Sequence, residues 1–137
     1  MARDECVIEE CKPRGEWAEL MFMERAAAHG LSVAKPYGES GQYDVAVEYK
    51  GRFRRVQVKS TQYRRRTGEY SLNVMGPGRR AYKRGTVDFF AVYLIPDEAW
   101  YIIPAQVMGG RCTLHLNLSG GRGFYERYRE AWDLLKS

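Results

Sequence analysis

The 137-residue sequence predicts one α/β (α+β) domain, a central mixed β-sheet flanked by helices. Three observations carry this reading. Residues 14–30 are rich in the helix formers Ala, Leu, Met and Glu. Residues 43–49 and 53–59 alternate apolar and polar on either side of Lys50-Gly51, as two strands of a hairpin do. Residues 86–95, TVDFFAVYLI, are apolar almost without a break, the mark of a strand covered on both faces.

Along the chain, Pro13 suits the first turn of the helix and Gly30 its C-terminal cap. LSVAKP (31–36) reads as a short strand, stopped by Pro36 and the turn-rich YGESGQ. The hairpin follows, then a third alternating run, EYSLNVM (69–75), and the breaker GPGRR (76–80). After the buried strand, PDEA makes a turn, WYIIP (100–104) pairs back, and Pro104 opens a short helical turn. RCTLHLNL (111–118) alternates as a further short strand, and SGGRG (119–123) is a loop. FYERYREAWDLLKS (124–137) places Phe124, Tyr128, Ala131 and Leu135 on one helical stripe, so a terminal helix is expected. All strands are expected in one sheet, and residues 1–137 in a single domain.

With 45% hydrophobic and 28% charged residues, no apolar run nears the ~20 residues that span a bilayer. The first residues lack a secretory signal's apolar stretch, so a cytoplasmic protein with no membrane partner is expected. Cys6, Cys11 and Cys112 are odd in number and lack metal-site spacing to one another or to His29 and His115. Reduced thiols are expected. The histidines, cysteines and Ser119 form no nucleophile–base set.

The net charge of +5 is unevenly spread. Residues 1–49 hold 5 basic and 10 acidic side chains, residues 50–84 hold 12 and 1, and residues 85–137 hold 5 and 6. A basic block on folded strands and loops points to nucleic acid. Ser60, Tyr63, Arg64, Arg65, Arg66, Arg79, Arg80, Lys83 and Arg84 are the candidate contacts, the arginines and lysines toward phosphate. GGRG ahead of the last segment lacks the Lys-Ser/Thr of a phosphate loop and reads as a connector, and Asp88 as a cap or turn residue.

The hairpin's register follows from its turn. With Lys50-Gly51 at the centre, paired residue numbers sum to 101, so Tyr49 faces Arg52 and Asp44 faces Gln57. Opposed residues share a face, and Lys59, two beyond Gln57, shares it too. Val45, Val47, Val56 and Val58 take the other face. On the first helix Glu19 lies in the stripe of Phe22, Met23 and Ala26, which puts a carboxylate on the apolar side. Glu16, one turn earlier, is explained as a first-turn acid favoured by the helix dipole. Asp44, the Gln57 side-chain carbonyl and the Val58 backbone carbonyl suit a hard cation such as Mg²⁺, with Glu19 binding through water or at a second site. Lys59 would orient water or stabilise the transition state of phosphoryl transfer.

These residues resemble the PD-(D/E)XK nuclease superfamily, whose core runs α-β-β-β-α-β with a strand Asp and a following acid-x-Lys. More narrowly, GEWAE…YDVAVEYKGRFRRVQVKS…VDFFAVYLIPDEAWYIIP, within residues 12–104, is similar to the branch of group I intron homing endonucleases, in which Gln replaces the usual acid. Tyr43 stands where the superfamily has its Pro. The resemblance implies a restriction-endonuclease-like core (αβββαβ) and a metal-dependent DNA endonuclease of homing, restriction or junction-resolving type. It implies Asp44 and Gln57 as metal ligands, Lys59 as the catalytic lysine and Glu19 as the helix acid. Mg²⁺ or Mn²⁺, double-stranded DNA and a homo-oligomer (dimer or tetramer) come with it. The alternative is a catalytically inactive nuclease fold that binds nucleic acid, and a third reading is a partner-binding domain whose charge only confers solubility.

Overall fold

The computed structural model describes residues 6–38, 42–76, 80, 82–83, 85–118 and 123–137. The first helix, α1, spans Cys11–Ala28, with Pro13 in its first turn as expected, where no intrahelical N–H is needed. The amides of Gly30 and Leu31 fold back onto the carbonyls of Ala27 and Ala26, and Gly30 at φ 87° supplies the left-handed residue that ends it. Ala18, Phe22 and Ala26, four residues apart, form its buried stripe.

Strands β1 (Ser32–Ala34), β2 (Val45–Tyr49) and β3 (Arg52–Thr61) come next, followed by β4 (Glu69–Asn73), β5 (Phe89–Leu94), β6 (Ala99–Pro104) and β7 (Thr113–Asn117). Five of them form a mixed sheet in the order β1-β2-β3-β5-β6. β3 and β5 are parallel and the other neighbours antiparallel. The hairpin has the register its turn requires: Tyr49 pairs with Arg52 and Val45 with Val56. Lys50 and Gly51 both take positive φ (51° and 82°), the two-residue turn that matches strand twist. β5 is buried along its whole length, as its unbroken apolar run requires.

The sheet carries a core on each face. Val45, Val47, Val56, Val58, Ala91 and Tyr93 pack under α1, with Trp100 and Trp132. Phe90, Val92, Leu94, Tyr101 and Ile103 pack on the other side against Tyr70, Leu114, Leu116 and Met108. That second layer corrects the expectation of one sheet: β4 and β7 pair only with each other, as a two-stranded antiparallel sheet laid over the first. The segment between β3 and its parallel partner β5 thus contributes a strand to the covering layer. α2 (Ala105–Met108) is one turn, stopped by Gly109 at φ 56°.

The expected terminal helix over 124–137 is absent. Two 3-10 turns, Glu126–Tyr128 and Trp132–Lys136, stand there, broken by Glu130 at φ 49°. Tertiary pairing wins over helical periodicity, because β6 has an unpaired edge. Glu130 N–H donates to the Trp100 carbonyl at 2.8 Å, and Trp100 N–H donates to Glu130 Oε2 at 2.7 Å. Buried backbone groups need partners, and here this segment supplies them while Trp132 and Leu135 enter the core. Among the described residues no helix is long and apolar enough to cross a membrane. Cys6, Cys11 and Cys112 are free thiols.

Candidate active site

β2 begins at Val45, whereas β3 runs on past Val56 to Thr61. The ladder's last pair is Val45–Val56, and Asp44 stands just before it, at the point where the two strands part. Asp44 N–H donates to the Val56 carbonyl at 2.9 Å, so the Val56 backbone points toward β2. Strand alternation makes the Val58 backbone point the same way, into the gap that β2 leaves. Its N–H donates to Asp44 Oδ2 at 2.8 Å, so a carboxylate replaces the missing ladder partner. The Val58 carbonyl is aimed at the same gap, while its side chain stays in the core.

Burial dominates the electrostatics here. It pushes the Asp44 carboxyl up to about 6, and the nearby Glu19 charge adds to the rise. The Val58 amide, Lys59 and Lys35 pull it back. Lys59 is held below the ordinary lysine range by desolvation, which the Asp44 charge partly opposes. Its Nζ donates to the Met75 carbonyl at 3.4 Å and lies 5.6 Å from the centre of the Tyr82 ring. Tyr82 meets Phe90 edge-on at 5.2 Å, and burial together with the Asp44 charge pushes its hydroxyl up to about 12. Lys59 is therefore a desolvated ammonium walled by an aromatic ring.

From α1, Glu19 accepts a hydrogen bond from Lys35 Nζ at 2.7 Å. Glu16 is exposed and acts on Lys35 but is not among the charges that shift Asp44. Gln57 pairs with Phe90 across β3 and β5 and is half-buried, and its amide has no hydrogen-bond partner among the described residues. Glu19 and Lys59 thus act electrostatically on Asp44, and Gln57 lies on β3 two residues before Lys59. Among the described residues no three His, Cys, Asp or Glu side chains gather as a metal cluster. The donor set is two carboxylates completed by amide and backbone oxygens, a hard all-oxygen set. A carboxylate burdened by burial and by a second acid is short of positive charge, and that fits a divalent cation.

The basic block is split by its partners. Ser60 sits in β3, and Tyr63, Arg65, Arg66, Arg80 and Lys83 are exposed. Arg64 is held by Asp97, at 3.3 Å, which also accepts from the buried Tyr70 hydroxyl at 2.5 Å. Arg79, Arg84, Ser119 and most of the GPGRR and GGRG segments lie outside the described residues. Asp88, expected as a cap or turn residue, is instead an ion-pair partner, accepting from Arg55 N–H at 2.7 Å and pairing with its guanidinium at 3.2 Å. Ser71 and Glu69 both face the same ring nitrogen of His115, so no relay passes through that imidazole.

Sequence reading did not single out Lys35 or Tyr82. Lys35 is placed by the β1–β2 register, which pairs Ala34 with Ala46 and is a feature of the fold, not of the sequence. No signal in the sequence marks Tyr82, whose contact with Lys59 depends on the covering layer.

The sheet order, with α1 on one face and an acid and a lysine where β2 leaves β3, is the restriction-endonuclease-like fold. The chain belongs to the PD-(D/E)XK endonuclease family, whose model matches residues 9–133. It is similar to a bacterial homing endonuclease, I-Ssp6803I, at 26% identity and a TM-score of 0.79, over 93% of each chain. The Holliday junction resolvase Hjc of the archaeal hyperthermophile Archaeoglobus fulgidus shares the fold at 14% identity, with a TM-score of 0.50 over 77% of this chain and 85% of that one. No curated protein matches this chain.

Proposed function

We propose that the chain is a divalent-metal-dependent endonuclease that hydrolyses phosphodiester bonds of double-stranded DNA, working as one domain over residues 1–137 in the cytoplasm. The observation that carries this is a half-buried Asp44, held through Oδ2 by the Val58 amide at 2.8 Å where β2 leaves β3, with the charges of Glu19 and Lys59 acting on it. Asp44, Glu19, Gln57 and the Val58 carbonyl are the residues that would hold Mg²⁺ or Mn²⁺. When bound, such an ion lowers the pKa of water and neutralises charge on a phosphate.

The remaining chemistry belongs to the chain. Val58 N–H fixes Asp44 by its Oδ2, leaving Oδ1 for binding. Lys59, its proton loosened by burial, orients the attacking water or donates at Nζ to the charge that builds on phosphate oxygen. Tyr82 and the Met75 carbonyl limit where Nζ can go. Tyr63, Arg65, Arg66, Arg80 and Lys83, with Ser60 and Arg64 beside them and Arg79 and Arg84 in the same block, contact the DNA backbone, a salt-sensitive affinity blind to sequence.

The test is cleavage of supercoiled plasmid and of branched DNA with Mg²⁺, Mn²⁺ or EDTA. Cleavage with metal, lost in Asp44→Ala and Lys59→Ala, is expected. Retention of cleavage in either variant would remove the site assignment. Binding without cleavage would return the catalytically silent reading, which the pairing of Glu19 with Lys35 and the uncharged Gln57 favour. We further propose that the chain acts on DNA as a dimer or tetramer, and sedimentation of a monomer on DNA would count against it.

A further inference from the structure

Lys35 follows β1, whose register with β2 pairs Ser32 with Glu48 and Ala34 with Ala46. Continued one step, that register puts Lys35 opposite Val45, next to Asp44. Its Nζ donates to Glu19 Oε1 at 2.7 Å. The Glu19 side chain is 19% exposed and the Lys35 side chain 51%, so the lysine lies more in water than the acid it pairs with. Lys59 also acts on Asp44, but its Nζ is turned to the Met75 carbonyl and the Tyr82 ring, and the hydrogen bond to Glu19 comes from Lys35.

We propose that Lys35 is the resident counter-ion of the Glu19–Asp44 pair, and that a divalent cation must displace its ammonium from Glu19 in order to bind. This rests on the reading of the site as a metal centre. Ammonium and metal seek the same carboxylate oxygens, and a lysine half in water gives up its partner at small cost. Lys35 is then a positioning residue. It keeps the helix acid aimed at the site and charge-balanced without metal, and it sets the threshold of metal concentration at which the site loads.

The experiment is Mn²⁺ titration of the whole chain at pH 8, without DNA, with free Mn²⁺ read by electron paramagnetic resonance. Lys35→Met is expected to bind Mn²⁺ about two- to five-fold more tightly than the unaltered chain, the range for removing an exposed ion-pair competitor. Lys35→Arg, which keeps the charge, should bind as the unaltered chain does. In a Glu19→Gln background the gain from Lys35→Met should vanish, since the competition is for that carboxylate. A merely structural role for Lys35 would not make its removal tighten metal binding. Lys35→Gln repeats the comparison if Lys35→Met does not fold by circular dichroism. Equal or weaker Mn²⁺ binding in the charge-removed variants overturns the proposal. An unaltered chain that takes up no Mn²⁺ overturns the metal-site reading beneath it, a distinguishable result.

Discussion

The Val58 amide donates to Asp44 Oδ2 at 2.8 Å, so an acid standing at the head of β2 is held by the backbone of β3. The same residue sends its side chain into the core beneath α1. The fold's packing and the acid's placement are therefore joined at one position, and the consequences can be measured.

Asp44 should make the metal-free protein less stable at neutral pH than it need be. Its folded pKa of about 6 lies above the ordinary 3.8, so its favourable contribution is full below pH 3.8 and lost as pH rises through 6. Asp44→Asn keeps an oxygen to accept from Val58 and removes the charge. Urea unfolding without metal should show it about 2 kcal/mol more stable than the unaltered chain at pH 8, a difference that shrinks toward zero at pH 4. A constant difference across that range would mean that charge burial is not the cause.

Lys59 should resist replacement even by Arg. Its pocket is bounded by the Tyr82 ring and the Met75 carbonyl, and a planar guanidinium does not place a point charge where an ammonium does. Plasmid cleavage by Lys59→Arg should fall by at least about 10²-fold, while circular dichroism stays unchanged. Tyr82→Leu should lower cleavage less, since it loosens Lys59 without removing it.

The arginines at 64–66 should contribute unequally to DNA binding. Asp97 already holds Arg64 at 3.3 Å, while Arg65 and Arg66 are exposed. Arg66→Ala should reduce the slope of log affinity against log salt by about 1, the release of one phosphate contact. Arg64→Ala should change it by clearly less. Equal slopes would show that DNA strips Arg64 from Asp97.

Glu130 should matter for stability on two separate counts. Its carboxylate accepts from Trp100 N–H and from Trp132 Nε1, at 2.7 and 3.0 Å, and its backbone sits at φ 49°. Glu130→Ala loses both hydrogen bonds and keeps a side chain in the left-handed region, so a cost of about 2 kcal/mol is expected from urea unfolding. Glu130→Gly loses the same bonds but relieves the backbone, and should be less destabilising than Ala by about 1 kcal/mol. The reverse order would show that the backbone is at ease there.

What the sequence made legible was local. The hairpin could be registered from Tyr49–Arg52 to Val45–Val56 because turn chemistry and alternation lie within a few residues of each other. The buried strand β5 was legible for a similar reason, since its apolar run needs no partner to be seen. β4 and β7 carry the same alternating signal as the sheet strands, and nothing in either says that Tyr70 will lie opposite Leu116 in a sheet of their own. The last segment is a helix by its periodicity and an edge cover by its neighbours. Only the bare backbone of β6 decides between them. Lys35 was missed because a lysine in a short strand looks like a solvated residue until the acids beside it are placed.

The Lys50-Gly51 turn has a remote effect that follows from counting alone. Where an added residue enters the ladder instead of the loop, every partner across the hairpin shifts by one and the side chains beyond it change face. Lengthen the turn by two, with one added on each side of the centre, and the original partners are restored. A series of loop insertions should therefore read out as odd and even, cleavage failing and returning, at a site the loop never touches. A turn at one end of the hairpin is thus expected to govern the acid at the other.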